Sequence, residues 1–308
     1  EYAPGSTFKM IVALAALEAG LVTPETNYFC PGYLEVGDGK FHCWRRHGHG
    51  HVNLDRGIAE SCDVYFYEVA RRVGIDNIAR MAGKFGLGTE LGMDTPGERA
   101  GLIPTKAWKR AVIGQPWVLG ETLVAGIGQG FITTTPMQLA TMTARMVNGG
   151  KIVQPHLARD VVLRDKLAAR VPAETETIDV DPRHLKSVTD AMALVTAAPA
   201  GTAHAARIMT PGMSMGGKTG TAQVRRITQR ERDGGVIKNK DLPWRYRDHA
   251  LFVGYGPVEA PRYAIAVVVE HGGGGSAVAA PIARDVMTQT LKRDPARLAP
   301  GANVAGLR

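Results

Sequence analysis

Residues 10–17, MIVALAAL, are apolar without a break, with Pro4-Gly5 before them and Gly20 after. A turn, an apolar run and a glycine stop read as a helix, and one apolar on every side needs cover on every side. The fold must be built around this segment. Ser6 and Lys9 stand in its first turn, three residues apart and so on one face. A lysine drawn into an apolar helix either finds a partner or gives up its proton. A neutral amine beside a hydroxyl is a base beside a nucleophile. The plainer alternative is an N-capping serine followed by a solvent-reaching lysine.

The rest of the chain supplies the cover. Ser61–Gly74 and Ile75–Gly86 have helical periodicity and end in glycine, and a Gly/Pro-punctuated loop runs on through Pro104. Thr135 fits an N-cap, Pro136 the first helical position and Gly149 the end of another helix. Pro182–Ala197 reads as a helix, and Met213–Val224, Ala250–Tyr255 and Arg262–Glu270 read as strands. Val278–Arg293 is a last amphipathic helix before a polar tail expected to fray. Val22–Asn53 is turn-rich. Helices first and strands late, with no βαβ alternation, predict an α+β fold with an antiparallel sheet.

Of the 308 residues 44% are hydrophobic and 21% charged, which is enough apolar side chain for a large core. No apolar run reaches the roughly 18 residues that span a bilayer, and no signal-peptide pattern is present. The chain opens directly on a chemistry-bearing motif, so sequence is expected to precede it in the full protein. The net charge is +8, much of it in the stretch Arg225 to Arg247 that holds Arg226, Arg230, Arg232, Lys238, Lys240 and Arg245. Such a run reads as a solvated loop, or else as an attractor of anionic surfaces or substrates. No helix-turn-helix, zinc-finger or RNP pattern points to nucleic acid.

Two further motifs complement Ser6-x-x-Lys9. Ser61-Cys62-Asp63 supplies a second hydroxyl and a carboxylate at a helix start. Lys218-Thr219-Gly220-Thr221 lies on a predicted strand whose glycines admit a ligand's backbone. In this order and spacing the three match the serine acyltransferase set of β-lactamases and penicillin-binding proteins.

With YAPGSTFK, SCDVYFYEVA, GIGQGFITTTPMQLA, GGKTGTAQV and RDHALFVGY, the chain resembles the transpeptidase domain of class B penicillin-binding proteins, especially the penicillin-binding protein 2 branch. The resemblance runs from Tyr2 to about Ala280. It implies a β-lactamase/transpeptidase-like fold, a central antiparallel sheet flanked by helices, in which the family's N-terminal strands, membrane anchor and non-catalytic domain are missing from this chain. Residues 1–293 would be the transpeptidase domain, with a metal-binding loop region at 26–60, a basic loop at 225–248 and a flexible tail at 294–308.

The resemblance also implies a D,D-transpeptidase that cross-links peptidoglycan stem peptides and is inhibited by β-lactams. Ser6 would attack the carbonyl between two D-alanines, Lys9 would take its proton, and Ser61 would relay a proton to the leaving D-alanine. Lys218 would add positive charge near Ser61. Thr219, Gly220 and Thr221 would bind the substrate, the two threonines at its terminal carboxylate, and the N–H groups of Ser6 and Thr221 would form an oxyanion hole. Asp63 stands where most relatives carry Asn, a departure shared by penicillin-binding protein 2. It would either cap its helix or orient Lys9 or Ser61. Partners would include membrane proteins of the elongation complex such as a SEDS glycosyltransferase, at the periplasmic face of the inner membrane. The rivals are a serine β-lactamase, for which Glu98 is the candidate deacylating base, and a non-enzymatic β-lactam-sensing domain. Gly97 and Gly101 read Glu98 instead as part of a loop. Gly126-x-Gly128-x-Gly130 is no dinucleotide fingerprint, because no strand and acidic partner frame it.

All three cysteines fall between Cys30 and Cys62 around a histidine-rich loop. Cys30, Cys43, Cys62 and one of His47, His49 or His51 can make a closed Cys₃His zinc site. A Cys30–Cys43 disulfide with Cys62 free is the alternative. The penicillin-binding protein 2 resemblance selects zinc with Cys30, Cys43, His49 and Cys62, leaving His47 and His51 as solvated neighbours. Because Cys62 lies between Ser61 and Asp63, a structural metal there would set the position of Ser61.

Overall fold

A single 3-10 turn, Gly5–Phe8, leads into helix α1 (Lys9–Glu18), which is buried at every residue from Lys9 to Leu17. The computed structural model describes residues 1–158, 160–163, 166–169, 176–225, 227–228, 231 and 234–294. Cover for α1 comes from α2 (Leu54–Ala59), α3 (Asp63–Val73), α4 (Ile75–Lys84) and α8 (Pro182–Ala197). The predicted stops hold: Gly74 ends α3 with φ 76°, and Gly20, with φ 64°, follows α1.

The turn-rich segment is more ordered than expected. It forms two antiparallel pairs, β1 (Tyr28–Cys30) with β4 (Gly50–Val52), and β2 (Tyr33–Val36) with β3 (Gly39–His42). Strands of three or four residues show too few alternations for a period of two to register. Two more short helices, α5 (Lys106–Val112) and α6 (Leu119–Gly126), also escaped prediction for lack of length. Helix α7 (Pro136–Val147) starts as expected: Thr135 Oγ1 accepts from Gln138 N, and Gln138 Oε1 accepts from Thr135 N.

After the short hairpin β5 (Asp160–Leu163) and β6 (Lys166–Ala169), the main sheet is built from β7 (Gly216–Ala222), β8 (His249–Gly256) and β9 (Tyr263–Val269). Its order is β7-β8-β9, antiparallel throughout, with Thr219 opposite Phe252 and Val253 opposite Ala266. Strand β8 is buried from Ala250 to Gly256, which requires cover on both faces. Helices α7 and α9 (Ala279–Lys292) both pack on β8 and β9, while α8 packs on β7. The α+β expectation holds. Lys238, Lys240 and Arg245 of the basic stretch are exposed, as a solvated loop requires. Arg226, Arg230, Arg232 and residues 295–308 lie outside the described residues.

Candidate active site

Three backbones meet at the head of α1, and glycine makes the meeting possible. Gly5 has φ 54°, and a Cβ there would stand 2.6 Å from Thr221 O. Gly128 has φ 70°, and its Cβ would fall 2.1 Å from Gly5 O. Neither position tolerates a side chain. Gly5 N donates to Gly128 O at 2.9 Å, so the turn that carries Ser6 is pinned between the 128 loop and β7. From the same loop Gln129 Nε2 donates to Thr221 O at 2.9 Å. The N–H and C=O of one antiparallel-strand residue point the same way. Thr221 N–H therefore faces that open edge of β7, beside Ser6, whose own N–H sits in a first helical turn without an intrahelical acceptor.

Lys9 is fully buried and takes the first of its two options, a partner. Its Nζ donates to Asp63 Oδ1 at 2.7 Å, to Ser61 O at 2.9 Å and to Ser61 Oγ at 3.1 Å. The first and second motifs thus converge across 52 to 54 residues of chain. The three protons of the amine go to the second motif; the expected approach of Lys9 to Ser6 is a shared turn rather than a hydrogen bond.

Asp63 opens α3, but Cys62 Sγ supplies the N-cap by accepting from Tyr65 N. The Asp63 carboxylate is spent on Lys9 and on Trp44 N, which donates to Oδ2 at 2.8 Å. Burial pushes this carboxyl up from the usual carboxylate range, while the Lys9 ammonium pulls it down. The pair is net neutral whichever partner holds the shared proton. Ser61 itself has φ 56°, a conformation that L-residues avoid and that surrounding contacts must impose.

Lys218 is also fully buried, and its Nζ donates to Thr219 O at 3.0 Å. Burial and then the Lys9 ammonium push it well below the usual lysine range, while Asp63 pulls it up. Burial thus weighs against the positive charge expected of Lys218, while the Asp63 carboxylate, itself bonded to Lys9, weighs for it. Thr219 Oγ1 lies 2.8 Å from Thr202 Oγ1. Trp44, Gln129 and Thr202 were not legible as site residues. Gln129 lies in the GIGQG run and Trp44 next to Cys43, but neither spacing names a partner.

Glu98 is not aimed at this cleft. Its carboxylate accepts from the backbone N–H groups of Leu91, Gly92 and Met93. It holds its own loop, as the flanking glycines suggested.

On the other side of Ser61, the donor atoms of Cys30, Cys43, His49 and Cys62 all lie within 4.8 Å of one another, and all four residues are buried. The cysteines are free thiols. His49 Nδ1 is 3.7 Å from Cys30 Sγ and 3.5 Å from Cys43 Sγ, while its buried Nε2 has no hydrogen-bond partner. Hydrogen bonds from Cys43 and Cys62 hold the Cys30 thiol far below its usual range, and the contact with Cys30 pushes Cys62 up. Three soft sulfur donors and one imidazole in a closed, buried cluster fit a structural tetrahedral zinc. His47 and His51 are exposed, and His51 Nδ1 meets Asn27 Oδ1.

Comparison with known proteins follows the same lines. Residues 1–288 match the family model described as the penicillin binding protein transpeptidase domain. The chain is 37% identical over 299 residues to peptidoglycan D,D-transpeptidase MrdA of Haemophilus influenzae, covering 95% of this chain and 44% of that protein. It is 36% identical over 280 residues to MrdA of Escherichia coli K12, covering 90% of this chain and 43% of that one. It thus spans less than half the length of these curated relatives. Among solved structures it is similar to Pseudomonas aeruginosa PBP2 in complex with WCK 5153, with TM-score 0.82 and 39% identity over 95% of this chain and 62% of that one. Helicobacter pylori PBP2 in complex with MreC gives TM-score 0.82 and 31% identity, over 96% of this chain and 50% of that one.

Proposed function

The chain belongs to the penicillin-binding protein transpeptidase domain family, and from that membership we propose that it carries out serine D,D-transpeptidation of peptidoglycan stem peptides. Ser6 Oγ attacks the carbonyl between the two terminal D-alanines. Its proton enters the buried Lys9–Asp63–Lys218 cluster, which starts uncharged and becomes cationic as the tetrahedral intermediate becomes anionic. Stabilisation of that oxyanion falls to the N–H groups of Ser6 and Thr221, where losing one such donor costs about 10²–10³ in rate. The cluster returns the proton through Ser61 Oγ to the leaving D-alanine amine as the C–N bond breaks. Thr219 and Thr221 hold the terminal carboxylate along the open edge of β7, and Gly220 between them leaves room for the substrate's backbone. The acyl-enzyme then passes to an amine of a neighbouring stem, with Ser6 Oγ as leaving group. A β-lactam acylates Ser6 by the same attack.

The observation that carries this reading is the convergence of Lys9 Nζ on Ser61 Oγ and Asp63, with the Ser6 turn packed against Thr221. Labelling with a fluorescent penicillin tests it: the intact chain should take the label and Ser6→Ala should not, and equal labelling would reject the assignment. The engagement of Glu98, the candidate deacylating base, by three backbone N–H groups favours a transpeptidase over a β-lactamase. The penicilloyl adduct should accordingly be long-lived by mass spectrometry.

Cys30, Cys43, His49 and Cys62 are proposed to hold zinc, whose role when bound is structural, fixing the Cys62 end of the second motif. For the whole protein the proposed setting is the periplasmic face of the inner membrane. Partners there would be of the kind that the Helicobacter pylori relative binds, with elongation-complex proteins such as a SEDS glycosyltransferase among them. No helix among the described residues is long and apolar enough to cross a membrane.

A further inference from the structure

Trp44 leaves 61% of its surface in solvent, yet it makes more directed contacts to the second motif than any predicted site residue except Lys9. Its backbone N–H donates to Asp63 Oδ2 at 2.8 Å. Its indole Nε1 donates to Ser61 O at 3.1 Å and to Glu60 O at 3.2 Å. Its ring stands edge-on to His49 at 5.4 Å. Ser61 O is therefore held from two sides, by Lys9 Nζ and by the Trp44 indole. Those contacts bracket the one residue of the motif whose backbone sits at φ 56°. Strain of this kind persists only where neighbours over-determine it. A ring this exposed contributes little by burial, so packing does not account for it. Phenylalanine would fill the same space; only tryptophan brings the N–H.

We propose that Trp44 is a positioning residue for the transpeptidation reaction: its indole N–H locks the strained Ser61 peptide so that the Ser61 hydroxyl faces Lys9. The proposal rests on the transpeptidase reading and adds to it the device that keeps the second motif in register. Trp44→Phe removes the indole donor and retains both the ring and the backbone bond to Asp63.

In the intact, metal-replete chain, stopped-flow acylation by a fluorescent penicillin separates non-covalent binding from the acylation rate constant. The variant should lose about 10-fold or more in the acylation rate constant, as small displacements of a reacting group do, with binding and metal content unchanged. In the native chain the Trp44 indole N–H, assigned by its loss from the ¹H–¹⁵N spectrum of the variant, should exchange with solvent far more slowly than that of Trp244, a residue equally exposed at 60%. An unchanged acylation rate constant, or an indole that exchanges as fast as Trp244, would overturn the proposal. No acylation of the native chain removes the transpeptidase reading and this proposal with it. Acylation of native and variant at one rate removes this proposal alone.

Discussion

Lys218→Met keeps the length of the side chain and deletes a buried amine whose charged form burial disfavours. In the unfolded chain that amine stays charged up to about pH 10.4. In the fold, burial and then the nearby Lys9 ammonium lower that pKa well below its ordinary value. Between the depressed folded pKa and the ordinary one, folding expels a proton, so native stability climbs by about 1.4 kcal/mol per pH unit. Below the folded pKa the penalty is constant, and above the unfolded one it vanishes. Methionine carries no such penalty. The variant should therefore be the more stable at pH 7, and its lead should contract by about 1.4 kcal/mol for each pH unit above the folded pKa. Losing the Nζ–Thr219 O bond costs the variant about 1 kcal/mol, which lowers the lead without altering its slope. Urea unfolding of both proteins at pH 7, 8 and 9 reads the gap directly. Penicillin labelling should be lost in the same variant. Stability curves that run parallel across this range would mean that Lys218 enters the fold charged, and would refute the charge-neutral cluster.

The other predictions address how the site is held together. Gly128→Ala drives a methyl into Gly5 O and demands a left-handed alanine; it should destabilise the chain by about 2–4 kcal/mol in urea unfolding and abolish penicillin labelling. Gln129→Leu removes the donor to Thr221 O and should slow acylation by about 10-fold, less than the loss of an oxyanion donor itself, in a stopped-flow measurement. Stripping metal with a chelator should lower the thermal midpoint and cut penicillin acylation, and added zinc should restore both; a metal-free protein that acylates normally would dismiss the zinc proposal.

What the sequence determined by itself was local. An unbroken apolar run had to become a buried helix, Ser6 and Lys9 had to share its first turn, and Pro136, Pro182, Gly74 and Gly20 had to mark helix boundaries. These follow from backbone sterics and periodicity, which act over a few residues. Resemblance added the order of the three motifs, and with it the family. Only the tertiary structure decided the long-range hydrogen bonds: Lys9 turned to Ser61 and Asp63 rather than to Ser6, Asp63 left capping to Cys62, Lys218 was buried without a carboxylate of its own, and Trp44 and Gln129 joined the site. A buried polar atom must find a partner, but which of many it finds depends on segments tens of residues away, and that choice is made only when the core closes.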